Sequence, residues 1–266
     1  MYAFSPHRPT TVRQAAGLLA KQEEAKLLAG GHTLIPTMKL RLAGPKHLID
    51  LSKVEGLTGI EMRGRSLVIG AMTPHAEVAT SAVVKENISA LAELAGKIGD
   101  PAVRHCGTIG GSLANNDPNA DYPAGALGLG ATIITNKRRI AADDFFKGLF
   151  ETALEPDEII TKVQFPKVNK AGYVKFPNPA SRYALVGVFV SKRGSEIRVA
   201  VTGAGANGVF RLPSFEEALK KRFAPKSLEG MTIPADGMAS DIHGSAEYRA
   251  HLVGVLARRA VAAAVA

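Results

Sequence analysis

Residues 107–116, "GTIGGSLANN", place a Gly-Gly pair between small hydroxyl residues and an amide-rich turn, and residues 29–33, "AGGHT", repeat the double glycine after an apolar run. Glycine admits positive φ and lets a backbone approach a ligand, so successive N–H groups can converge on an anion. A hydroxyl beside each pair, Thr33 or Thr108, adds a donor for phosphate oxygens. Two such segments in one chain fit a diphosphate clasped from both flanks; two unrelated loop turns are the plain alternative.

Working outward from the first pair, Thr11 and Gln14 form a capping box ahead of an apolar helical stripe. "AKLLA" reads as a buried strand ending at Gly30, a helix follows over about 34–42, and "HLIDL" is the next strand. That order predicts a small parallel unit. "LTGIEMRGRSLVIGA" reads as a hairpin turning at Gly64, with Thr73 and Pro74 then as N-cap and first residue of a helix. A further helix spans about 89–97, "ATIITNKRRIAA" is a hairpin tipped by Asn136-Lys137, and "EIITKVQFP" is a strand stopped by Pro166. The segment 167–172 reads as a linker. Strands in "GYVKF", "LVGVFVSK" and "EIRVAVTGA" follow, then helices over about 214–222 and from 245 onward. The sum is an α+β chain: mixed strands and helices, then a strand meander covered by helices.

Composition narrows the function. The 266 residues carry one cysteine, Cys106, which excludes an intrachain disulfide and leaves no thiol set for zinc or an iron–sulfur cluster. The net charge of +9 comes from scattered basic residues, without the block or module that nucleic-acid binding requires. The N-terminus lacks the pattern of a secretory signal, and the C-terminal apolar stretch is broken by two arginines and too short for a bilayer span. These features predict a soluble, cytoplasmic protein.

"GAGANG", residues 203–208, matches the dinucleotide fingerprint and follows a strand, but "VFRLPS" intervenes where a helix should open, so a strand ending in a glycine loop is the better reading. The seven histidines show no metal-binding spacing. Asp117, before Pro118, fits an Asx turn. With no nucleophile motif present, any redox or transfer chemistry falls to a cofactor.

"LAGGHTLIPTMKLRLAGPKHLIDLS", "GTIGGSLANNDPNADYPA" and "YRAHLVGVLARRAV" resemble the FAD-binding medium subunit of molybdenum hydroxylases, the flavoprotein of the xanthine dehydrogenase and aerobic carbon monoxide dehydrogenase family, over residues 2–259. The resemblance implies a bipartite FAD-binding domain of the vanillyl-alcohol oxidase (PCMH) type over 1–170, with subdomains about 1–55 and 56–170, and a smaller α/β C-terminal domain over 171–266. It implies that Ala29, Gly30, Gly31, His32 and Thr33 form the first FAD loop and Thr108, Ile109, Gly110, Gly111 and Ser112 the second. It also places Asn115 and Asp121 at the cofactor's sugar-like chain or nearby groups, Lys175 near the cofactor, and Tyr183 close to the flavin ring. Ser112 stands where Asn is frequent in the family. The single cysteine sets the chain apart from the benzoyl-CoA reductase type, which adds a cysteine-ligated cluster.

The implied partners are a molybdenum-cofactor large subunit and a [2Fe–2S] small subunit, in a dimer of heterotrimers. Electrons would pass from the clusters through FAD to a small-molecule acceptor: NAD, a quinone or oxygen. A free-standing FAD oxidoreductase, and a scaffold that keeps the fold without flavin, stand beside this reading.

Overall fold

The computed structural model describes residues 1–266. The chain begins with a three-stranded parallel sheet. β1 (Ser5–His7), β2 (Ala25–Leu28) and β3 (His47–Asp50) lie in the order β1-β3-β2, connected by α1 (Val12–Lys21) and α2 (Leu34–Lys39). The Thr11/Gln14 capping box closes the start of α1 as expected. Ala15, Ile49, Leu51 and Val54 form a small core between helix and sheet.

A five-stranded antiparallel sheet follows, ordered β4-β5-β10-β6-β7. Its strands are β4 (Ile60–Arg63), β5 (Ser66–Gly70), β6 (Thr132–Thr135), β7 (Arg139–Ala141) and β10 (Ile160–Pro166), with the short pair β8 (Phe146–Gly148) and β9 (Glu151–Thr152) set apart. The helices between them are α3 (His75–Thr80), α4 (Ala82–Gly96), α5 (Pro101–Cys106), α6 (Ile109–Asn115), α7 (Asp121–Leu129) and α8 (Ala142–Phe145). The hairpins at Gly64 and Asn136 form as the sequence predicts.

Three expectations change. Thr73 does not cap α3; its buried hydroxyl bridges to the Gly59 backbone, 3.1 Å from the N–H, and Pro74 takes the cap position. The helix expected over 89–97 forms, but an earlier helical stretch from Ala82 precedes it, and the two meet at Ile88, whose φ of −148° is not helical. The expected linker shrinks to a short turn, because Lys170 already pairs with Lys192.

The last sheet runs β11 (Lys170–Pro177), β12 (Ala184–Arg193), β13 (Glu196–Thr202) and β14 (Phe210–Arg211) as an antiparallel meander. Alternation along β12 gives the sheet two buried faces. Val186, Val188 and Val190 pack against α9 (Pro213–Lys221) and α10 (Ala246–Val265), while Phe189 joins Tyr173 and Ala200 in the core shared with α4 and α7. α7 is therefore enclosed between the two larger sheets, and each of its nine residues is buried. A helix surrounded this way needs no polar stripe. "GAGANG" opens into β14 and not a helix, as its reading required. No helix of the chain is long and apolar enough to cross a membrane.

Candidate cofactor-binding site

A cleft of about 750 Å³ opens at the carboxyl end of β2. Its size lies within the range of small-molecule and cofactor pockets. β2 ends at Leu28 and α2 starts at Leu34, so residues 29–33 belong to neither element. The N–H groups of Ala29, Gly30, Gly31, His32 and Thr33 donate to no acceptor in the protein. Gly31 holds φ +74°, which turns this row of amides around the cleft's edge. Five consecutive free donors make an anion cradle.

The second glycine pair behaves differently. It sits in the first turn of α6, and the protein itself uses its amides: Gly110 N–H donates to Ala71 O (2.8 Å) and Gly111 N–H to the Thr108 side chain (3.1 Å). Ile109 and Ser112 are likewise bonded, to Thr73 O and Thr108 O. Only the Thr108 amide remains free in this segment. The glycines serve packing instead. A Cβ on Gly110 would stand 2.6 Å from the Ala71 side chain, and one on Gly111 would meet Ala29 at 3.4 Å.

The two segments touch. A Cβ added to Gly30 would lie 2.2 Å from the Cys106 carbonyl oxygen and 2.7 Å from Gly107 Cα. The question of two distant glycine pairs thus has a geometric answer: they line one cleft, the first as donor and the second as a tightly packed floor.

The remaining wall comes from the β9–β10 region and from the turn between β11 and β12. Glu158 faces the cleft with its carboxylate fully engaged. Arg138 Nε and Nη2 donate to it at 3.0 and 2.9 Å, Thr135 Oγ1 at 2.6 Å and the Glu155 N–H at 3.0 Å. These bonds, that from Arg138 foremost, lower its pKa to about 2. A carboxyl depressed in the folded state contributes stability above its unfolded pKa near 4.5, and that contribution drains away as pH falls toward about 2. Because Arg138 is partly exposed, the expected contribution is only about 1–2 kcal/mol. Denaturant titrations of Glu158→Gln should show a flatter stability profile than the unaltered chain across that acid window; parallel profiles would refute the assignment.

Asp121, the first residue of α7, reaches the cleft from a buried network. Its carboxylate accepts from the Tyr173 hydroxyl and, at 2.9 Å, from Lys175 Nζ, which also donates to Lys97 O at 2.9 Å. Both charged side chains are 3% exposed. Burial holds the Asp121 carboxyl above the ordinary carboxylate range even with Lys175 pulling it down. Tyr183 stands half-exposed at the mouth, and burial, with Asp117 and Asp121 nearby, keeps its phenol protonated.

Residues 2–168 match the family model described as the FAD binding domain in molybdopterin dehydrogenase. The chain belongs to that FAD-binding family. It is 35% identical to the carbon monoxide dehydrogenase medium chain of Hydrogenophaga pseudoflava, covering 98% of this chain and 96% of the relative. It is 37% identical to the nicotine 6-hydroxylase medium subunit of Paenarthrobacter nicotinovorans, covering 95% and 94%. Reconstituted CO dehydrogenase from Oligotropha carboxidovorans superposes with a TM-score of 0.88 at 35% identity, over 98% of this chain and 97% of that one. The protein is accordingly an FAD-containing oxidoreductase component, with the α+β architecture of this family.

FAD fits what the cleft offers. The free amides suit its diphosphate, and the side chains of Ser112 and Asn115 line the cleft without a hydrogen-bond partner in the protein. Ala29, Gly30, Gly31, His32, Thr33, Thr108, Gly110, Gly111, Asp121 and Tyr183 line it too. Two expected residues do not. Ile109 turns its side chain into the core, fully buried, and Lys175 stands behind Asp121, so any influence on the cofactor passes through that carboxylate. Sequence reading missed His75, Glu158 and Arg182 in the lining. No local motif marks them, because each reaches the cleft only through tertiary packing.

Proposed function

We propose that this chain is the flavoprotein subunit of a three-subunit molybdenum hydroxylase, receiving electrons from the [2Fe–2S] clusters of a small partner and delivering them to a small-molecule acceptor. The observation that carries this is the run of free amides at 29–33 within a domain of the FAD-binding family, in a chain that has one cysteine. Four ligands are needed for an iron–sulfur cluster, so those centres belong to a partner.

Bound FAD supplies the redox chemistry, exchanging electrons singly with clusters and in pairs with an acceptor. The chain's own work is to bind and orient. Ala29 to Thr33 hold the diphosphate, Thr108, Ser112 and Asn115 add polar contacts along the floor, and Asp121 and Tyr183 complete the lining. Tyr183 is uncharged and Asp121 is committed to Tyr173 and Lys175, so neither is free to serve as a base. This supports a subunit that carries electrons without an acid–base step.

The division into an FAD-binding unit over 1–170, with parts 1–55 and 56–170, and a C-terminal unit over 171–266 is part of the same proposal, as are assembly as a dimer of heterotrimers with a molybdenum large subunit and residence in the cytoplasm.

The test is purification of the tagged chain with its native partners, followed by a visible spectrum and a gel. Flavin bands overlaid with iron–sulfur absorption, and two further chains, are the expected result. Flavin alone, bleached by a small-molecule substrate without partners, would replace the proposal with a free-standing oxidoreductase.

A further inference from the structure

His75 opens α3 beneath the contact of the two glycine segments. Its backbone N–H donates to Gly107 O at 2.9 Å. Its ring Nε2 lies 2.6 Å from the place a Cβ on Gly107 would occupy, so glycine at 107 is what admits the imidazole. Gly107 in turn abuts Gly30, within the run of free amides. The side chain is 5% exposed, lines the cleft, and makes no hydrogen bond within the protein; its Nδ1 is enclosed without a partner. A buried polar side chain left unpaired at a ligand cleft calls for an explanation.

We propose that His75 binds the phosphate portion of the cofactor as a neutral imidazole, donating its Nε2–H to the anion held by the amides of residues 30–33. This rests on the FAD reading above. A neutral imidazole carries one N–H. A proton on Nδ1 would be enclosed with nothing to accept it, so the tautomer assigned from the surroundings puts it on Nε2, the edge toward Gly107 and the cleft. Burial first, then the neighbouring His32 and Arg104, lower the His75 pKa to about 4, which keeps it uncharged at neutral pH. The other ring packed on it, that of Tyr122 at 5.2 Å, belongs to a phenol whose pKa burial pushes up, so it brings no charge. The cleft thus offers the anion a fixed dipole beside the amide row.

The test is FAD titration of deflavinated protein, read by flavin fluorescence, with inorganic pyrophosphate and adenosine as competitors. His75→Phe keeps a ring but loses the donor. It should weaken FAD and pyrophosphate by about tenfold to a hundredfold, the size expected for one hydrogen bond to a charged group, and leave adenosine unaffected. His75→Gln, whose amide nitrogen reaches the Nε2 position, should recover most of the loss; His75→Asn, which mimics Nδ1, should not. Affinity of the unaltered protein should stay level from pH 6 to 8. Equal FAD affinity in His75→Phe, loss shared by adenosine, rescue by Asn in place of Gln, or affinity that falls through pH 6.5 as a cationic histidine would require, each overturns the proposal. Should His75→Phe fail to fold, the Gln and Asn pair decides. An unaltered protein that takes up no FAD would instead defeat the cofactor reading itself.

Discussion

Gly30→Ala loses its flavin. The added methyl would stand 2.2 Å from the Cys106 carbonyl oxygen and 2.7 Å from Gly107 Cα, both backbone atoms that no side-chain rotation can clear. The first glycine segment must then lift off the second, and the row of donors at 30–33 moves with it. We expect FAD affinity to fall by at least about a hundredfold, with about 1–3 kcal/mol of stability lost to overpacking. Gly17→Ala is the matched control. Gly17 lies inside α1 with nothing within 4 Å of the added carbon, so it should retain flavin and gain about 0.5–1 kcal/mol from better helix propensity. A yellow Gly30→Ala protein with unchanged affinity would show that the two segments do not act through their contact.

The second large effect is on stability. Asp121→Ala strands the Lys175 ammonium in a site where it is 3% exposed, with the Lys97 carbonyl as its one remaining partner, and deprives the buried Tyr173 hydroxyl of its acceptor. Removing one member of a buried ion pair costs about 3–5 kcal/mol, because the other keeps its desolvation penalty without the attraction that offset it. For a chain of this length that corresponds to a fall in Tm of roughly 10 °C. Replacing both members, Asp121→Leu with Lys175→Met, should restore much of the loss and so expose the coupling. If the single variant melts within a degree or two of the parent, the network is not a joint between α7 and β11.

How much of this was legible beforehand follows from which interactions are local. The parallel unit at the start, the hairpins at Gly64 and Asn136, the meander and the cap at Thr11 are written in short-range patterns: alternation, turn residues, a hydroxyl at the N-cap. Such signals act over a few residues, so a linear reading recovers them. The helices α6 and α7 escaped it. α6 carries the Gly-Gly pair in its first turn and a left-handed Asn116 at its end, both ordinary signs of a loop, and α7 has a proline in its first turn and no polar face. α7 is held helical by enclosure, since a segment buried on every side satisfies its backbone internally whatever its intrinsic propensity. α6 starts on its Thr108 cap and packs one face, Ile109, Gly110 and Leu113, against the core.

The site divides the same way. The sequence by itself determined that two glycine segments exist, that the first follows a strand, and that the chain cannot ligate its own metal cluster. Only the tertiary structure decided that the segments touch, that the first has free amides while the second spends its own on α6 and β5's end, and that His75 and Glu158 complete the wall. The reason is physical: whether an N–H is available depends on which carbonyl lies within 3 Å of it, and for Gly110 that carbonyl belongs to Ala71, 39 positions earlier in the chain.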